Sequence, residues 1–192
     1  VQRGRLVAMT LENGAFTQFL EPLKGLLLRE LTFINCPKLA DLTSLKGMAI
    51  GSLTLSDCTA LEDLEPLKGM PLAELILRNC PQLDDLSPLE GIPLTSIVIE
   101  GCGNIADISL LKDMPLERLE IDSLGAKNLD VLHGMPLKQL KLGRLTPDEP
   151  AVTMEDLNFL AGMPLERLTL RCDGATDLSP ISGMPLIELA IT

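Results

Sequence analysis

The stretch LAELILRNCPQLDDLSPLEGIP, residues 72–93, contains one complete unit of a pattern that recurs along the chain. In its first seven residues, aliphatic side chains alternate with others, which is typical of a β-strand with one face buried. Leu75 and Leu77 are therefore expected to face a hydrophobic core. The residues that alternate with them are expected to face the opposite side of the strand: Glu74, Ile76 and Arg78.

The second half of the stretch predicts a short helical turn between two loops. Ser87 is a favourable N-cap residue, and Pro88 suits the first helical position. Gly91 provides the backbone freedom to leave the turn, and Pro93 prevents the helix from continuing. One unit is therefore predicted to consist of a strand, a turn, a short helical turn and a second turn.

This unit, which we call a rung, repeats at a nearly constant interval of 22 residues. We interpret residues 1–192 as a single domain of eight full rungs and the opening strand of a ninth, with an extended rung at 137–164. A single rung buries too little apolar surface to fold alone, so stacked rungs must cover each other's faces. The strand pattern begins at Leu6, Leu28, Ile50, Leu72, Leu94, Leu116, Leu137, Leu165 and Leu186.

The unit at 72–93 follows L-x-x-L-x-L-x-x-N/C-x-x-L and resembles the leucine-rich repeat family, in particular short bacterial repeats of the internalin type. The resemblance covers nearly the whole chain. It implies an α/β fold, a right-handed solenoid with a parallel β-sheet on the concave face and short helical turns on the convex face. It also implies a non-catalytic protein–protein interaction module, part of a larger bacterial protein, that presents its concave strand face to a partner.

The acidic composition argues against nucleic acid as a partner, and the absence of a long apolar run argues against a membrane span. The chain carries 27 acidic and 16 basic residues, for a formal net charge of −11, and so repels the phosphates of nucleic acids. No apolar run approaches the ~18 residues that a membrane span needs. We therefore expect another protein as the partner, and no nucleic acid, membrane span or cofactor.

Four cysteines recur at intervals of 22 residues: Cys36, Cys58, Cys80 and Cys102, with Cys172 further along. Zinc sites use close pairs such as C-x-x-C, which this sequence lacks. We interpret the cysteines as small buried residues at the corner after each strand, with thiols that donate weakly to loop carbonyls. Neighbouring Cα atoms would lie near disulfide range, which leaves oxidation open. Unpaired cysteines favour the cytoplasm slightly, although a bacterial envelope protein could carry the same ladder.

An acidic column also follows the repeat: Asp41, Asp63, Asp85, Asp107, Asp156 and Asp177. Stacked carboxylates could hold calcium, but one aspartate per rung supplies too few converging oxygens. The favoured interpretation is that each aspartate accepts backbone N–H groups where its rung enters the helical turn.

The segment IVIEGCGNIA, residues 97–106, contains G-x-G-x-x-A after a predicted strand and so imitates a dinucleotide-binding fingerprint. The following ISLLKDM is too short for the helix of that motif. The single histidine, His133, falls at a solvated convex position, and no nucleophile–base–acid set is apparent. We therefore expect no enzyme. A spacer solenoid without a specific ligand is the main alternative function, and nucleotide or calcium binding is a further one.

The outward strand positions form the broad surface with the most varied residues. Arginine is enriched at interaction hot spots, whereas the absence of Trp and Tyr weighs against a high-affinity interface. The candidate binding residues are Glu74, Arg78, Glu100, Arg118, Glu120, Asp122, Gln139, Lys141, Arg167 and Arg171.

The extended rung contains LTPDEPAVTMED, residues 145–156, where insertions in such repeats often carry binding loops. Its expected exposed acidic tip consists of Pro147, Asp148, Glu149 and Pro150, and recognition and neutral drift explain it equally well. Solenoids also need polar end caps. Because neither end of the sequence supplies one, we expect either a fragment of a longer protein or end-to-end self-association.

Overall fold

A computed structural model describes residues 8–14, 20–105, 107–122, 129–143, 152–153, 157–173 and 176–191. In this part of the chain, nine parallel strands form one sheet in which neighbouring strands come from successive rungs. The nine are β1 (Ala8–Glu12), β2 (Glu30–Ile34), β3 (Ser52–Ser56), β4 (Glu74–Arg78), β5 (Ser96–Glu100), β6 (Arg118–Ile121), β7 (Gln139–Leu142), β9 (Arg167–Leu170) and β11 (Glu188–Ile191).

The inward leucines keep a constant register across this sheet. The Cα atom of Leu75 pairs with Leu53 on one side and with Ile97 on the other, and Ile97 pairs in turn with Leu119. All four side chains are fully buried. The expected stack of rungs with a shared aliphatic core is confirmed.

A short 3-10 helix lies between each two successive strands of the nine-stranded sheet. Most of these turns contain three residues, and several have proline in their first two positions. Gly69 and Gly91 leave their turns with positive φ angles of 72° and 75°. The described turns are Glu21–Leu23, Thr43–Leu45, Glu65–Leu67, Ser87–Leu89, Ser109–Asp113, Leu129–Leu132, Asn158–Leu160 and Ser179–Ile181.

The prediction that Ser87 caps its turn is wrong. The residue at the N-cap is Leu86, whose side chain makes no capping hydrogen bond. The amide of Ser87 instead donates to Oδ1 of Asp85 at 2.7 Å. Ser87 already lies inside the turn, so its own amide needs an acceptor, and the carboxylate two residues earlier supplies it.

The extended rung adds a second, two-stranded parallel sheet, in which β8 (Val152–Thr153) pairs with β10 (Cys172–Asp173). The predicted acidic tip at 147–150 lies outside the described residues. Among the residues that are described, no helix is long and apolar enough to cross a membrane.

Candidate functional site

The outward side chains of the nine-stranded sheet form what we call the strand face. Because every strand keeps the same register, equivalent residues lie side by side in columns. The central column runs through Thr54, Ile76, Val98, Glu120 and Lys141. Side chains presented by hydrogen-bonded strands are held in fixed positions, which suits a recognition surface.

Glu100, at the end of β5, joins two basic side chains on the strand face. Its Oε2 atom accepts a hydrogen bond from Nε of Arg78 at 2.6 Å, and its Oε1 atom accepts one from Nζ of Lys141 at 2.9 Å. Partial burial raises the pKa of Glu100, but the contacts with Arg78 and Lys141 together outweigh that effect and hold the pKa below its ordinary value. Glu100 is therefore ionised at neutral pH and fixes both cations.

Glu120 forms a second centre on β6. One of its oxygens, Oε1, accepts hydrogen bonds from Arg118 at 2.7 and 2.9 Å and from the amide of Gln139 at 2.9 Å. Its other oxygen lies 4.0 Å from Nζ of Lys141, which links this centre to Glu100. We call the six connected residues the ionic cluster: Arg78, Glu100, Arg118, Glu120, Gln139 and Lys141.

Val98 lies in the middle of the ionic cluster and has no accessible surface. The sequence predicts an exposed outward residue here, and that prediction is wrong. Val98 lies outside the leucine core, and its cross-strand neighbours are Ile76 and Glu120. Beside them, Arg78 pairs with Glu100 and Arg118 pairs with Glu120. The aliphatic stems of these long side chains are well placed to cover the valine, and the side chains of Arg78 and Arg118 remain partly exposed to water.

The remaining predicted binding residues lie outside the ionic cluster. Asp122 is only 6% exposed, and both of its carboxylate oxygens accept the amide of Gly101, at 2.9 and 3.0 Å. Glu74 is exposed and accepts the hydroxyl of Ser52 at 3.2 Å. Arg167 is exposed, with Nε 3.7 Å from Glu188, and Arg171 is half-buried. The fold thus gathers six of the ten candidates and leaves four apart.

The ionic cluster differs in charge from the rest of the chain. It contains three cationic and two carboxylate side chains, which leaves one positive charge in excess on a chain of net charge −11. The outward residues of β1 to β3 carry Glu12 and Glu30 as their charged side chains, and no basic one. The strand face therefore changes from acidic to locally basic along the stack.

The cysteine column is buried, as expected. The thiol of Cys80 lies 3.4 Å from the carbonyl of Arg78 and 3.7 Å from that of Leu55, so its acceptors are strand carbonyls rather than loop carbonyls. Contact with the Cys102 thiol lowers the pKa of Cys80, but contact with Cys58 and burial outweigh that effect. Together they raise the pKa of Cys80 above its ordinary value, to about 12. A thiol with this pKa is not a nucleophile at neutral pH. The side chain of Cys172 lies outside the described residues.

The acidic column acts within the turns. In every described rung that carries it, the aspartate accepts the amide two residues later at 2.6–2.8 Å. This confirms the favoured interpretation for Asp41, Asp63, Asp85, Asp107 and Asp177, whereas Asp156 lies outside the described residues. Over the ranges that the structure covers, no group of three or more His, Cys, Asp or Glu residues could hold a metal ion.

A neighbouring column was not singled out in the sequence. Asn13, Asn35, Asp57 and Asn79 follow their strands with positive φ angles of 50–57°, and Gly101 continues the column at 66°. The side-chain Nδ2 of Asn79 donates to Oδ1 of Asp57 at 2.8 Å, and Nδ2 of Asn35 donates to Oδ1 of Asn13 at 2.6 Å. The available signal is the Asn, Asp or Gly that comes directly before each of the four cysteines spaced 22 residues apart, since these residues tolerate this backbone conformation. Gly101 is thus one of this column of turn residues. The helical turn after it, Ser109–Asp113, has only five residues, whereas the dinucleotide-binding motif needs a full helix at this point.

Comparison with known proteins supports the fold. A solved structure of internalin C2 from Listeria monocytogenes superposes with a TM-score of 0.69 at 23% sequence identity, over 97% of this chain and 80% of that chain. No protein-family model and no curated protein sequence matches the chain. Together with the nine-stranded parallel sheet, the likeness shows that the chain folds as a leucine-rich repeat solenoid.

Proposed function

We propose that the chain is a non-catalytic protein-interaction module whose strand face binds a partner protein at the ionic cluster. The observation that carries this proposal is the preorganised excess of positive charge on a rigid sheet within a strongly acidic chain. A partner that brings a carboxylate to this patch meets charge complementarity without having to order the cations first, which lowers the cost of binding.

Arg78 is the residue best placed to contact such a partner. It contacts Glu100 through Nε, and its side chain is 40% exposed. The two terminal nitrogens of its guanidinium form no hydrogen bond within the described residues. They are therefore available for a two-point contact with a partner carboxylate, the geometry in which arginine binds most strongly.

Quantitative co-purification from a native lysate tests this function. The strand-face variant, with Arg78→Gln and Arg118→Gln, removes two partly exposed cations from the ionic cluster. The matched control with Lys46→Gln and Lys68→Gln removes two cations from the residues that follow the turns Thr43–Leu45 and Glu65–Leu67. We expect the strand-face variant to recover about tenfold less of each specific partner than the unmodified chain does, and the control to recover the same amount.

The alternative is a spacer solenoid with no specific ligand. It is favoured by the fact that Glu100 and Glu120 are already satisfied within the chain. If both variants recover the same proteins in the same amounts as the unmodified chain, the strand face is not a recognition surface and the spacer function is the better description.

A further inference from the structure

A groove lies away from the strand face, between the turn Ser87–Leu89 and the turn Ser109–Asp113. Its volume is about 640 Å³, within the range of about 300–1,000 Å³ that is typical of ligand sites. We call it the inter-turn groove. Its walls come from two neighbouring rungs, so its shape depends on how those two turns stack.

The second of these turns departs from the repeat, and the departure builds one wall of the groove. It runs for five residues instead of three and ends in Asp113, at the position where other rungs carry a glycine of positive φ. Leu110 occupies the position of Pro88 in the preceding rung. Both Leu110 and Asp113 line the groove, so the irregular turn contributes directly to its wall.

The walls of the groove are apolar. Pro93 and Pro115 are exposed, and Leu110 is half-buried. Leu86, Ile92 and Met114 lie below them and belong to the buried core. A ligand that enters the groove therefore contacts aliphatic and proline surfaces along its length.

The rim of the groove is acidic on both sides, and no described lysine or arginine lines it. Asp85 and Asp107 are engaged by Ser87 and Ser109 of their own turns. The carboxylates of Asp84, Glu90 and Asp113 form no ion pair or hydrogen bond within the described residues. Glu90 follows one turn and Asp113 ends the next, so uncompensated negative charge borders the groove from both rungs.

This combination selects a particular ligand chemistry. The carboxylates do not converge closely enough to hold a metal ion. A lysine or arginine side chain, in contrast, packs a hydrophobic stem on apolar walls while its charged end reaches a polar rim. Two such side chains, separated by an apolar residue, would satisfy both acidic rims and the apolar walls together.

We propose that the inter-turn groove binds a short basic peptide segment in which lysine or arginine alternates with an apolar residue. The partner is thus opposite in charge to the one that the ionic cluster suits. The two surfaces belong to different sides of the rungs, and a single chain could join two partners.

Chemical-shift mapping of the ¹⁵N-labelled chain tests the groove directly. The probe is an acetylated and amidated pentapeptide of sequence KLKLK, titrated at physiological ionic strength so that diffuse attraction to the acidic chain is screened. We expect the largest shifts at the amides of Gly91, Ile92, Leu110 and Met114. Shifts spread evenly over the acidic turns, or no saturable binding, overturn the proposal.

Isothermal titration calorimetry with charge-matched variants supplies the second arm. Glu90→Gln with Asp113→Asn removes two rim charges, whereas Glu62→Gln with Glu65→Gln removes two charges from the preceding rung, outside the groove. We expect Kd for KLKLK to rise about tenfold in the first variant and less than about twofold in the second. Equal losses mean that only the total charge matters, which overturns the proposal.

Two further titrations identify the ligand class. Leu110→Ala is expected to weaken binding of KLKLK but not of spermine, because only the peptide places apolar side chains against the wall. Suppose that spermine competes fully with KLKLK, and that Leu110→Ala binds each of them as tightly as the unmodified chain does. The groove then binds small polyamines and not a peptide, which overturns the proposal. The peptide ELELE is expected not to bind, and binding by it contradicts the charge complementarity.

Discussion

At the scale of the single residue, Gly101 decides how β5 leaves the sheet. Its φ angle is +66°, and its amide donates to the buried carboxylate of Asp122. A side chain added here would press on Asn79, whose Cα and N atoms lie 3.2 Å from the position of the new Cβ. Gly69 has a similar φ angle of +72°, but open space surrounds the corresponding position. A comparison of alanine substitutions at the two glycines therefore separates the cost of the left-handed backbone, which both share, from the cost of steric contact, which only Gly101 has.

We predict that Gly101→Ala destabilises the chain more than Gly69→Ala does. Both variants force a left-handed alanine, which costs about 1–2 kcal/mol, and both change the unfolded chain equally. Only Gly101→Ala adds overpacking against Asn79, which costs about 1–3 kcal/mol more. Urea unfolding followed by circular dichroism gives the difference. Equal free energies of unfolding would show that the contact with Asn79 relaxes without cost.

At the scale of the element, the ionic cluster ties four adjacent strands together. Glu100 on β5 reaches Arg78 on β4 and Lys141 on β7, two strands away. Its carboxylate is 21% exposed, so the contacts are stronger than those of a fully solvated pair. Charge pairs of this kind contribute to the rigidity of the strand face as well as to its charge.

We predict that Glu100→Gln lowers the free energy of unfolding by about 1–2 kcal/mol at pH 7. The pKa of Glu100 is lower in the folded chain than its ordinary value of 4.5. Its stabilising contribution is therefore complete above pH 4.5 and is lost as the pH falls through the folded-state pKa. The difference between the parent chain and the variant is expected to shrink in acid.

Glu74→Gln is the matched control, because Glu74 is an exposed strand-face glutamate that accepts the Ser52 hydroxyl and forms no ion pair within the described residues. Urea titrations of both variants at neutral and acidic pH make the comparison. We expect less than about 0.5 kcal/mol for Glu74→Gln at either pH. A Glu100→Gln difference that stays constant as the pH falls would contradict the role assigned to its charge.

The turns respond to pH in the same direction. Hydrogen bonds from the side chain and amide of Ser87 hold the pKa of Asp85 below its ordinary value, and Ser109 does the same for Asp107. Folding therefore favours the ionised aspartates, and the stability they contribute is lost only as the pH falls below 3.8 and through the folded-state pKa values. Acid weakens the turns and the strand face together.

At the scale of the whole molecule, each rung depends on the two beside it. Leu75 and Leu189 occupy the same inward position of the repeat, yet Leu75 is fully buried and Leu189 is 47% exposed. Leu75 packs between Leu53 and Ile97, whereas β11 pairs only with β9 in the described part of the chain. Ile187 of the same rung is 70% exposed. End-to-end self-association through this surface stays a prediction.

We predict that Leu75→Ala lowers the free energy of unfolding by about 2–5 kcal/mol, the cost of a cavity in a close-packed core. Leu189→Ala is expected to cost about 1 kcal/mol, because about half of that side chain already contacts water. Urea unfolding of the two single variants checks this. Similar losses at the two positions would show that another chain or segment covers Leu189 in solution.

The architecture of this chain follows from its amino-acid sequence alone. The alternation around Leu75, the glycines after the turns and the 22-residue interval are local signals, and their repetition fixes which residues stack. For the same reason the aspartate column and the buried cysteines could be interpreted without coordinates. Each depends on contacts within one rung or with the rung beside it.

The sequence does not show which outward residues contact each other and which are covered; the folded structure does. Val98 alternates correctly yet has no exposed surface, and Glu100 reaches Lys141 across 41 positions of sequence. The inter-turn groove likewise depends on how the longer turn at Ser109–Asp113 stacks on its neighbour. The period of the repeat fixes the position of each backbone. The reach of a long side chain and the packing of one irregular rung depend on neighbours that the pattern does not specify.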